Sequence, residues 1–209
     1  MFRDRREYVS GNLLESELQD SPFEQFSLWY HDAKTAGNPD PNAMSLATCG
    51  ADLRPSVRIV LLKEIQNQKF IFFTNYESEK GTQLQQNPAA ALCFFWPELE
   101  RQVRVEGRVS KISRDESEEY FHSRPREAQI GAVASRQSST LKNRAELEKN
   151  YADLEKQLHE KTIPLPENWG GYALSPNHFE FWQGRASRLH DRLCYDLIGD
   201  TWKIKRLSP

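Results

Sequence analysis

The chain has 209 residues, 28 Lys and Arg against 30 Asp and Glu, and a formal net charge of −2. This length suits one sizeable domain or two small ones, and the balanced charge argues against nucleic-acid binding, which normally uses a strongly basic domain. The N-terminus is charged from its third residue, and the longest mainly apolar run, residues 89–96, is too short to span a bilayer. Three widely spaced cysteines indicate reduced thiols, so we expect a cytoplasmic protein.

The first predicted element is a helix that begins after Ser21. Serine is a preferred N-cap residue, and Pro22 suits the first helical position because it has no N–H to leave unpaired. Phe23, Phe26 and Tyr30 follow at helical spacing, which predicts a buried face.

From Ala43 onward, short apolar runs alternate with turn-rich segments, a pattern typical of β-strands. The predicted strands cover 43–49, 56–63, 69–75 and 90–96, with turns at 50–55 and 64–68 and a short helix or turn at 78–87. Residues 101–113 alternate most clearly. Val103, Val105 and Val109 predict a buried face, and the polar residues between them predict an exposed one.

The C-terminal half combines helices with three more predicted strands. The predicted elements are a helical stretch over 114–135 broken at Pro125, a charged helix over 144–160, a linker over 161–171, and strands over 178–184, 187–197 and 201–207. Because the regular strand–helix alternation of a parallel sheet is missing, we expect a mainly antiparallel α+β barrel in a single domain.

Several common catalytic motifs are absent. The sequence has no dinucleotide-binding G-x-G-x-x-G, no phosphate-binding P-loop and no G-x-S-x-G elbow. Its five histidines are far apart and no C-x-x-C occurs, so we expect no metal site. If the protein is an enzyme, an organic cofactor is expected to carry the reaction.

Positive charge is concentrated in "FWQGRASRLHDR", residues 181–192. In a strand over 187–197, Arg188, His190 and Arg192 would project from one face, while Leu189 and Leu193 would point into the core. These cations would repel one another unless an anion or a planar ring lay among them, and arginine suits both ligands. The alternative is a solvated strand edge protected by charge.

Other cationic and polar residues extend this pattern. Arg58 and Lys63 are five positions apart, on opposite faces of a regular strand, so serving one pocket would need a bulge or a lysine that reaches round the strand end. They could instead simply flank a core strand. Tyr120, Arg124 and Arg126 lie around the break at Pro125, and the segment "ASRQSS" adds Gln137 and hydroxyl groups. Taken singly, each of these residues fits an exposed surface position better than a site; together they are many donors for a chain with little net charge.

Nine segments together resemble the pyridoxine (pyridoxamine) 5′-phosphate oxidase family. They occur in order between Arg5 and Pro209: "RIVLLK", "FFTN", "LERQVRVEG", "YFHSRPREAQIGA", "SRQSS", "WGGY", "EFWQG", "RLHDR" and "WKIKRLSP". The combination of "SRPR-x-x-QIGA" with "FWQG…RLHDR" is the most specific part of this resemblance.

The resemblance implies an antiparallel, Greek-key, FMN-binding split β-barrel that works as a homodimer with FMN at the subunit interface. It implies oxidation of pyridoxine 5′-phosphate or pyridoxamine 5′-phosphate to pyridoxal 5′-phosphate, with hydride transfer from C4′ to flavin N5. Oxygen would reoxidise the flavin and yield hydrogen peroxide. Residues 1–20 would form an N-terminal lid segment and residues 21–209 the barrel domain.

Site residues are implied in the same way. Those expected at FMN are Arg58, Val60, Leu61, Lys63, Phe73, Thr74, Lys80, Gln102, Gln137, Ser138, Trp182 and Arg192. Those expected at the substrate are Arg5, Tyr8, Lys63, Tyr120, Arg124, Arg188 and His190. Arg188, stacked over the pyridine ring, and His190, at the ring's polar substituents, are the expected catalytic residues.

Three positions depart from the family pattern. Ala128 stands where a serine is frequent, Glu79 where an arginine is common, and Phe73 where a tyrosine is common. These changes bear on ligand affinity rather than on hydride transfer. Glu79 and Ala128 also support a second hypothesis, a non-catalytic protein that binds flavin or pyridoxal phosphate on the same fold.

Overall fold

The computed structural model describes residues 7–209, which form nine β-strands and five α-helices. The strands are β1 (Ala43–Cys49), β2 (Pro55–Leu61), β3 (Glu64–Gln66), β4 (Lys69–Asn75), β5 (Ala89–Trp96), β6 (Arg101–Lys111), β7 (Trp169–Gln183), β8 (Asp191–Ile198) and β9 (Thr201–Arg206). The helices are α1 (Pro22–Thr35), α2 (Glu79–Gln86), α3 (Arg114–Ser123), α4 (Arg126–Ala134) and α5 (Arg144–Gln157).

All nine strands join one antiparallel sheet that forks at β7. The order β2-β1-β5-β6-β7-β4-β3 forms the main path, while β8 pairs with β7 and β9 with β8. One edge of β7 pairs with β6, and the other edge carries β4 along 169–174 and then β8 along 178–183. Two strands in succession on one edge make the sheet curl into a half-barrel, and the predicted antiparallel α+β fold is confirmed.

A bulge bends β6 against β7 between Glu106 and Gly107. A Cβ atom on Gly107 would lie 2.2 Å from the Ser175 carbonyl oxygen, closer than atoms can approach. Glycine is therefore required where the two backbones meet.

The half-barrel closes over an aromatic core that helix α1 completes. Ser21 Oγ accepts a hydrogen bond from the Phe23 N–H at 3.3 Å, so the predicted N-cap is confirmed. Phe26 is 1% exposed and packs edge-on against Phe70 and Phe94. The predicted buried face of β6 is also confirmed, because its three valines are buried.

The turn from Gly184 to His190 differs from the prediction. The strand expected over 187–197 begins only at Asp191, after a 3-10 turn in which Ser187 and Arg188 have φ angles of 55° and 61°. Leu189 is 70% exposed, so its predicted burial is wrong. The Arg185 and Ser187 N–H groups donate to side chains, and the Leu189 N–H donates to the Ala186 carbonyl within the turn. These bonds replace strand pairing and explain why strand periodicity stops there.

Two other boundaries differ from the predictions. The predicted turn over 64–68 contains the short strand β3, which pairs with β4. The predicted linker over 161–171 ends early, because Trp169 and the two glycines after it already belong to β7. These glycines lie against Tyr76 and Phe73, where a side chain would not fit.

Residues 9–19 pack against the barrel. The Val9 and Ser10 N–H groups donate to Glu100 Oε2 at 2.7 and 2.8 Å, and Leu13 is 3% exposed within the core. Tyr195 Oη donates to the Gln19 carbonyl at 2.7 Å. Along residues 7–209, no helix combines the length and apolarity needed to cross a membrane.

Candidate functional site

A cavity of about 700 Å³ lies between the sheet and helices α2 to α4. This size falls within the usual range for small-molecule and cofactor sites. Its lining comes from β2, β4, the first residue of β7, the three helices and the segments that follow β2, α3 and α4: Arg58, Ile59, Val60, Leu61, Lys63, Phe73, Thr74, Asn75, Lys80, Tyr120, Arg124, Ala128, Gly131, Ala132, Ser135, Gln137 and Trp169.

Arg58 lies in the middle of β2, and Lys63 follows the end of that strand. Strand β2 stops at Leu61, so Lys63 lies beyond the regular strand and is not bound by its alternation. Both side chains line the cavity. The structure therefore matches the interpretation in which the lysine comes round the strand end.

Two cations in the cavity wall are surrounded by neutral oxygens. Lys80 is 7% exposed, and its Nζ donates to Thr74 Oγ1 at 3.2 Å, Ser78 Oγ at 3.4 Å and Gln137 Oε1 at 3.2 Å. Arg58 donates to backbone and neutral side-chain oxygens. Burial lowers the pKa of both groups, and the Arg58 charge lowers that of Lys80 further. Their positive charges favour a bound anion.

Arg124 also lines the cavity, and it lies beside a stack of three aromatic rings. The rings of Phe73 and Tyr120 stack with centroids 3.8 Å apart, and Trp169 lies 5.5 Å from Phe73. The Arg124 guanidinium lies 4.9 Å from the Trp169 ring centre. Its Nη2 donates to the Ala128 carbonyl at 2.8 Å, whereas its buried Nη1 has no hydrogen-bond partner within residues 7–209.

Glu79 turns away from this cavity. Its Oε1 accepts from Ser56 Oγ at 2.8 Å, and its side chain lines a neighbouring cavity of about 420 Å³ together with Ser138. Gln137 lines both cavities. The carboxylate therefore does not neutralise the main cavity directly, although it stands next to Lys80 in the chain.

A second group of predicted site residues lies on β6, β7, β8 and the turn before β8. Trp182 pairs in register with Gln102 on one side and Arg192 on the other. His190 lies 4.8 Å from Trp182 between ring centres, and Tyr8 contacts both rings at 5.5 to 5.6 Å. None of these residues lines the 700 Å³ cavity of its own chain.

Arg188 and His190 do not share a strand face with Arg192, so that prediction is wrong. Arg188 is exposed on the left-handed turn, His190 follows the turn, and Arg192 lies within β8. The turn forms because the Arg185 N–H donates to His190 Nδ1 at 3.1 Å, and the Ser187 N–H donates to Glu7 at 3.2 Å.

The bond to His190 also fixes its tautomer. A backbone N–H can only donate, so Nδ1 of His190 must accept and carries no proton. The neutral imidazole then has its proton on Nε2, and it presents a hydrogen-bond donor to any ligand on that side.

The predicted site residues therefore fall into two groups. Ten line the cavity: Arg58, Val60, Leu61, Lys63, Phe73, Thr74, Lys80, Tyr120, Arg124 and Gln137. Tyr8, Gln102, Trp182, Arg188, His190 and Arg192 lie in the second group, Ser138 lines the neighbouring cavity, and Arg5 is outside the described residues. Sequence reasoning missed Asn75, Ser135 and Trp169, because nothing local in the sequence shows that these positions meet across the sheet.

Residues 31–157 match the family described as "Pyridoxamine 5'-phosphate oxidase", and residues 169–209 match the "Pyridoxine 5'-phosphate oxidase C-terminal dimerisation region". A pyridoxine/pyridoxamine 5′-phosphate oxidase of Leptospira biflexa is 53% identical over 205 residues, covering 98% of this chain and 97% of the relative. The chloroplastic Arabidopsis thaliana oxidase is 52% identical over 98% of this chain, which corresponds to 40% of the plant protein.

Solved structures share the fold. PhzG from Burkholderia lata 383, in complex with tetrahydrophenazine-1-carboxylic acid, superposes with a TM-score of 0.90 at 29% identity, over 96% of this chain and 100% of that chain. A pyridoxamine 5′-phosphate oxidase-related, FMN-binding protein of Nostoc punctiforme gives a TM-score of 0.72 at 18% identity, over 90% of this chain and 98% of that one.

Proposed function

The chain belongs to the pyridoxamine 5′-phosphate oxidase family, and from this premise we propose that it is an FMN-dependent oxidase. Its substrates would be pyridoxine 5′-phosphate and pyridoxamine 5′-phosphate, and its product pyridoxal 5′-phosphate. One observation carries the proposal: Arg58, Lys80 and Arg124 line one cavity, with no carboxylate within ion-pair distance in the described residues. Two phosphorylated aromatic ligands would supply the missing negative charge.

The cavity residues fit FMN. Arg58 and Lys80 would hold its phosphate, since phosphate is bound well by charge-assisted hydrogen bonds. Thr74 and Gln137 would serve its other polar atoms, joined by Ser138 from the neighbouring cavity that Gln137 also lines. Val60 and Leu61 would lie along the flavin. When bound, FMN supplies the two-electron acceptor, and O2 would take those electrons to give hydrogen peroxide.

The substrate phosphate would bind at Lys63, Tyr120 and Arg124. Arg124 offers the unpartnered Nη1, and its stacking on Trp169 fixes the plane of the guanidinium. Ala128 contributes its carbonyl to Arg124 rather than a hydroxyl to the ligand. Holding the substrate C4′ beside the flavin is worth up to about 7–11 kcal/mol from proximity and orientation.

We also propose a homodimer in which the second group of one protomer completes the cavity of its partner. Gln102, Trp182 and Arg192 would then meet FMN at the interface, and Arg188 and His190 would meet the substrate ring. Two observations support this arrangement. The C-terminal segment matches a dimerisation region, and β2 exposes Val57 and Ile59 by 69% and 66%. His190 would donate through Nε2 to an oxygen of the ring.

The N-terminal lid is proposed to end near Tyr8. Residues from Val9 onward are held by hydrogen bonds and core packing, so opening them would cost stability. Tyr8 packs on Trp182 and His190 and would cover the substrate from that side. The enzyme would work in the cytoplasm, where its three free cysteines stay reduced.

The visible absorption spectrum of the purified protein tests this function. We expect a flavin band that bleaches on anaerobic addition of pyridoxamine 5′-phosphate and returns when oxygen is admitted, with peroxide released. A colourless protein that FMN cannot reconstitute would contradict the proposal. Flavin binding without bleaching by either substrate would favour the non-catalytic alternative.

A further inference from the structure

Glu180 is the buried centre of a charged cluster outside the 700 Å³ cavity. It belongs to β7 and is 3% exposed. Its Oε1 accepts from Arg192 Nε at 2.8 Å and its Oε2 from Arg192 Nη2 at 3.1 Å, a bidentate pair. The same Oε2 accepts from Arg104 Nη1 at 3.0 Å. One carboxylate therefore joins two arginines from the neighbouring strands.

The carboxylate remains ionised in this setting. Burial alone would raise the pKa of Glu180, but the hydrogen bonds and charge of Arg192, with the charges of Arg104 and His178, outweigh burial and lower it. Buried ion pairs of this kind often add little net stability compared with apolar residues of similar size. The Glu180–Arg192 ion pair therefore matters more for the position of the Arg192 side chain than for the stability of the fold.

Three hydrogen bonds hold the Arg192 guanidinium in place. Besides the two bonds to Glu180, Arg192 Nη1 donates to the Ser208 carbonyl at 3.0 Å. Arginine has five N–H donors, so two remain for a ligand. A guanidinium already held in place loses little side-chain entropy on binding, which favours affinity.

We propose that Glu180 is a positioning residue that fixes the Arg192 guanidinium for contact with the flavin cofactor. This inference rests on the function proposed above, because the Arg192–flavin contact is part of it. Glu180 itself would touch neither cofactor nor substrate. It would act only through Arg192, which a double-mutant cycle can measure.

The experiment measures the Kd of FMN for the apoprotein by quenching of flavin fluorescence. We expect Glu180→Gln to weaken FMN binding about tenfold, equivalent to ~1.4 kcal/mol. Arg192→Ala should weaken it at least as much. In the Arg192→Ala background, Glu180→Gln should have no further effect. Glu106→Gln is the matched control, since Glu106 pairs with Arg104 on the same face but does not contact Arg192.

The outcomes separate this inference from the proposed function. Additive effects of Glu180→Gln and Arg192→Ala would overturn it, as would an unchanged Kd in either single variant of a parent that binds FMN. A parent that does not bind FMN would overturn the inference and the proposed function together. If Glu180→Gln does not fold, Glu180→Asp replaces it, because it keeps the charge but is too short for the bidentate geometry. The same lack of additivity with Arg192→Ala is then required.

Discussion

At the scale of single residues, the candidate site depends on cations that have no anionic partner among residues 7–209. A buried positive charge is expensive unless it is compensated, and proteins usually compensate it with a carboxylate. Arg124 instead donates from Nη2 to a carbonyl, and its buried Nη1 has no hydrogen-bond partner in the part of the chain that the structure describes. Because this Nη1 can donate to a ligand, Arg124 is the best single position at which to test phosphate binding.

Arg124→Gln should raise KM for pyridoxine 5′-phosphate about 10- to 100-fold. Hydrogen bonds to charged groups contribute about 1.5–3 kcal/mol, and each 1.4 kcal/mol is a factor of ten. Steady-state oxygen consumption measures the change. Arg126→Gln is the control, because Arg126 bonds to the Lys161 and Leu158 carbonyls outside the cavity. Equal effects of both variants would contradict a specific phosphate contact by Arg124.

Much of this site could be predicted from the family resemblance, which implied all ten of the cavity-lining side chains. Residue types alone pointed only to its cationic and polar members, because arginine and lysine gathered in a chain with little net charge indicate an anion site. Trp169 and Glu180 could not be found in the same way. Each gains its role only from strand register: β7 pairs with β4 at one end and with β6 and β8 at the other. The sequence of a single strand does not determine the register in which it pairs with a distant strand.

At the scale of elements, periodicity predicted β6 well and the approach to β8 poorly. Residues 101–111 alternate because one face of β6 packs on the core and the other does not. The sequence from Ser187 to Arg192 alternates as well, but its backbone turns. The Ser187 N–H donates to Glu7, 180 positions away, and the Arg185 N–H donates to His190 within the turn. These two bonds override the local alternation.

The β6 bulge gives a prediction at this scale. Gly107→Ala should destabilise the protein by about 1–3 kcal/mol, the range for overpacking, because its Cβ would meet the Ser175 carbonyl at 2.2 Å. Gly131→Ala in α4 is the matched control, since nothing lies within 4 Å of its added Cβ. Alanine there should stabilise the helix by about 0.5–1 kcal/mol. Urea unfolding measures both, and equal effects would contradict a steric requirement at the bulge.

At the scale of the whole molecule, Asp191 joins the N-terminal segment to the C-terminal strands. Its Oδ2 accepts from the Leu13 N–H at 3.1 Å and from Arg185 at 3.0 Å, while its Oδ1 accepts from Arg206 at 2.7 Å. Burial alone would raise the pKa of Asp191, but these partners outweigh it and lower the pKa. The folded state therefore favours the ionised carboxylate more than the unfolded chain does.

The lowered pKa of Asp191 makes the free energy of unfolding depend on pH. A lowered folded pKa contributes stability above the unfolded pKa of about 3.9, and that contribution is lost as the pH falls through the folded pKa. Asp191→Asn should lower the free energy of unfolding at pH 7 by about 1.5–3 kcal/mol. The difference from the parent should shrink below about pH 4. Asp153→Asn, on the exposed face of α5, is the control and should change the free energy of unfolding by less than about 0.5 kcal/mol. A difference that persists at low pH would refute the linkage.

In the proposed dimer, residues of both protomers build each site, because the two groups of predicted site residues lie apart within one protomer. The outer face of the sheet would form the interface. The register through β1 places Val57 of β2 and Phe95 of β5 on the same face, where they are 69% and 54% exposed. Exposed apolar side chains on one sheet face favour an interaction surface. A charge placed among them would be buried without a partner on association, which is costly.

Val57→Glu combined with Phe95→Glu should therefore yield a monomer by light scattering, and this monomer should bind FMN more weakly. Both effects should appear together, since the partner is proposed to supply Gln102, Trp182 and Arg192 to each cavity. Leu28→Glu is the control: Leu28 is 46% exposed on α1, and we expect its variant to remain dimeric and to bind FMN normally. A monomeric double variant with the parent's FMN affinity and turnover would show that each chain builds its site alone.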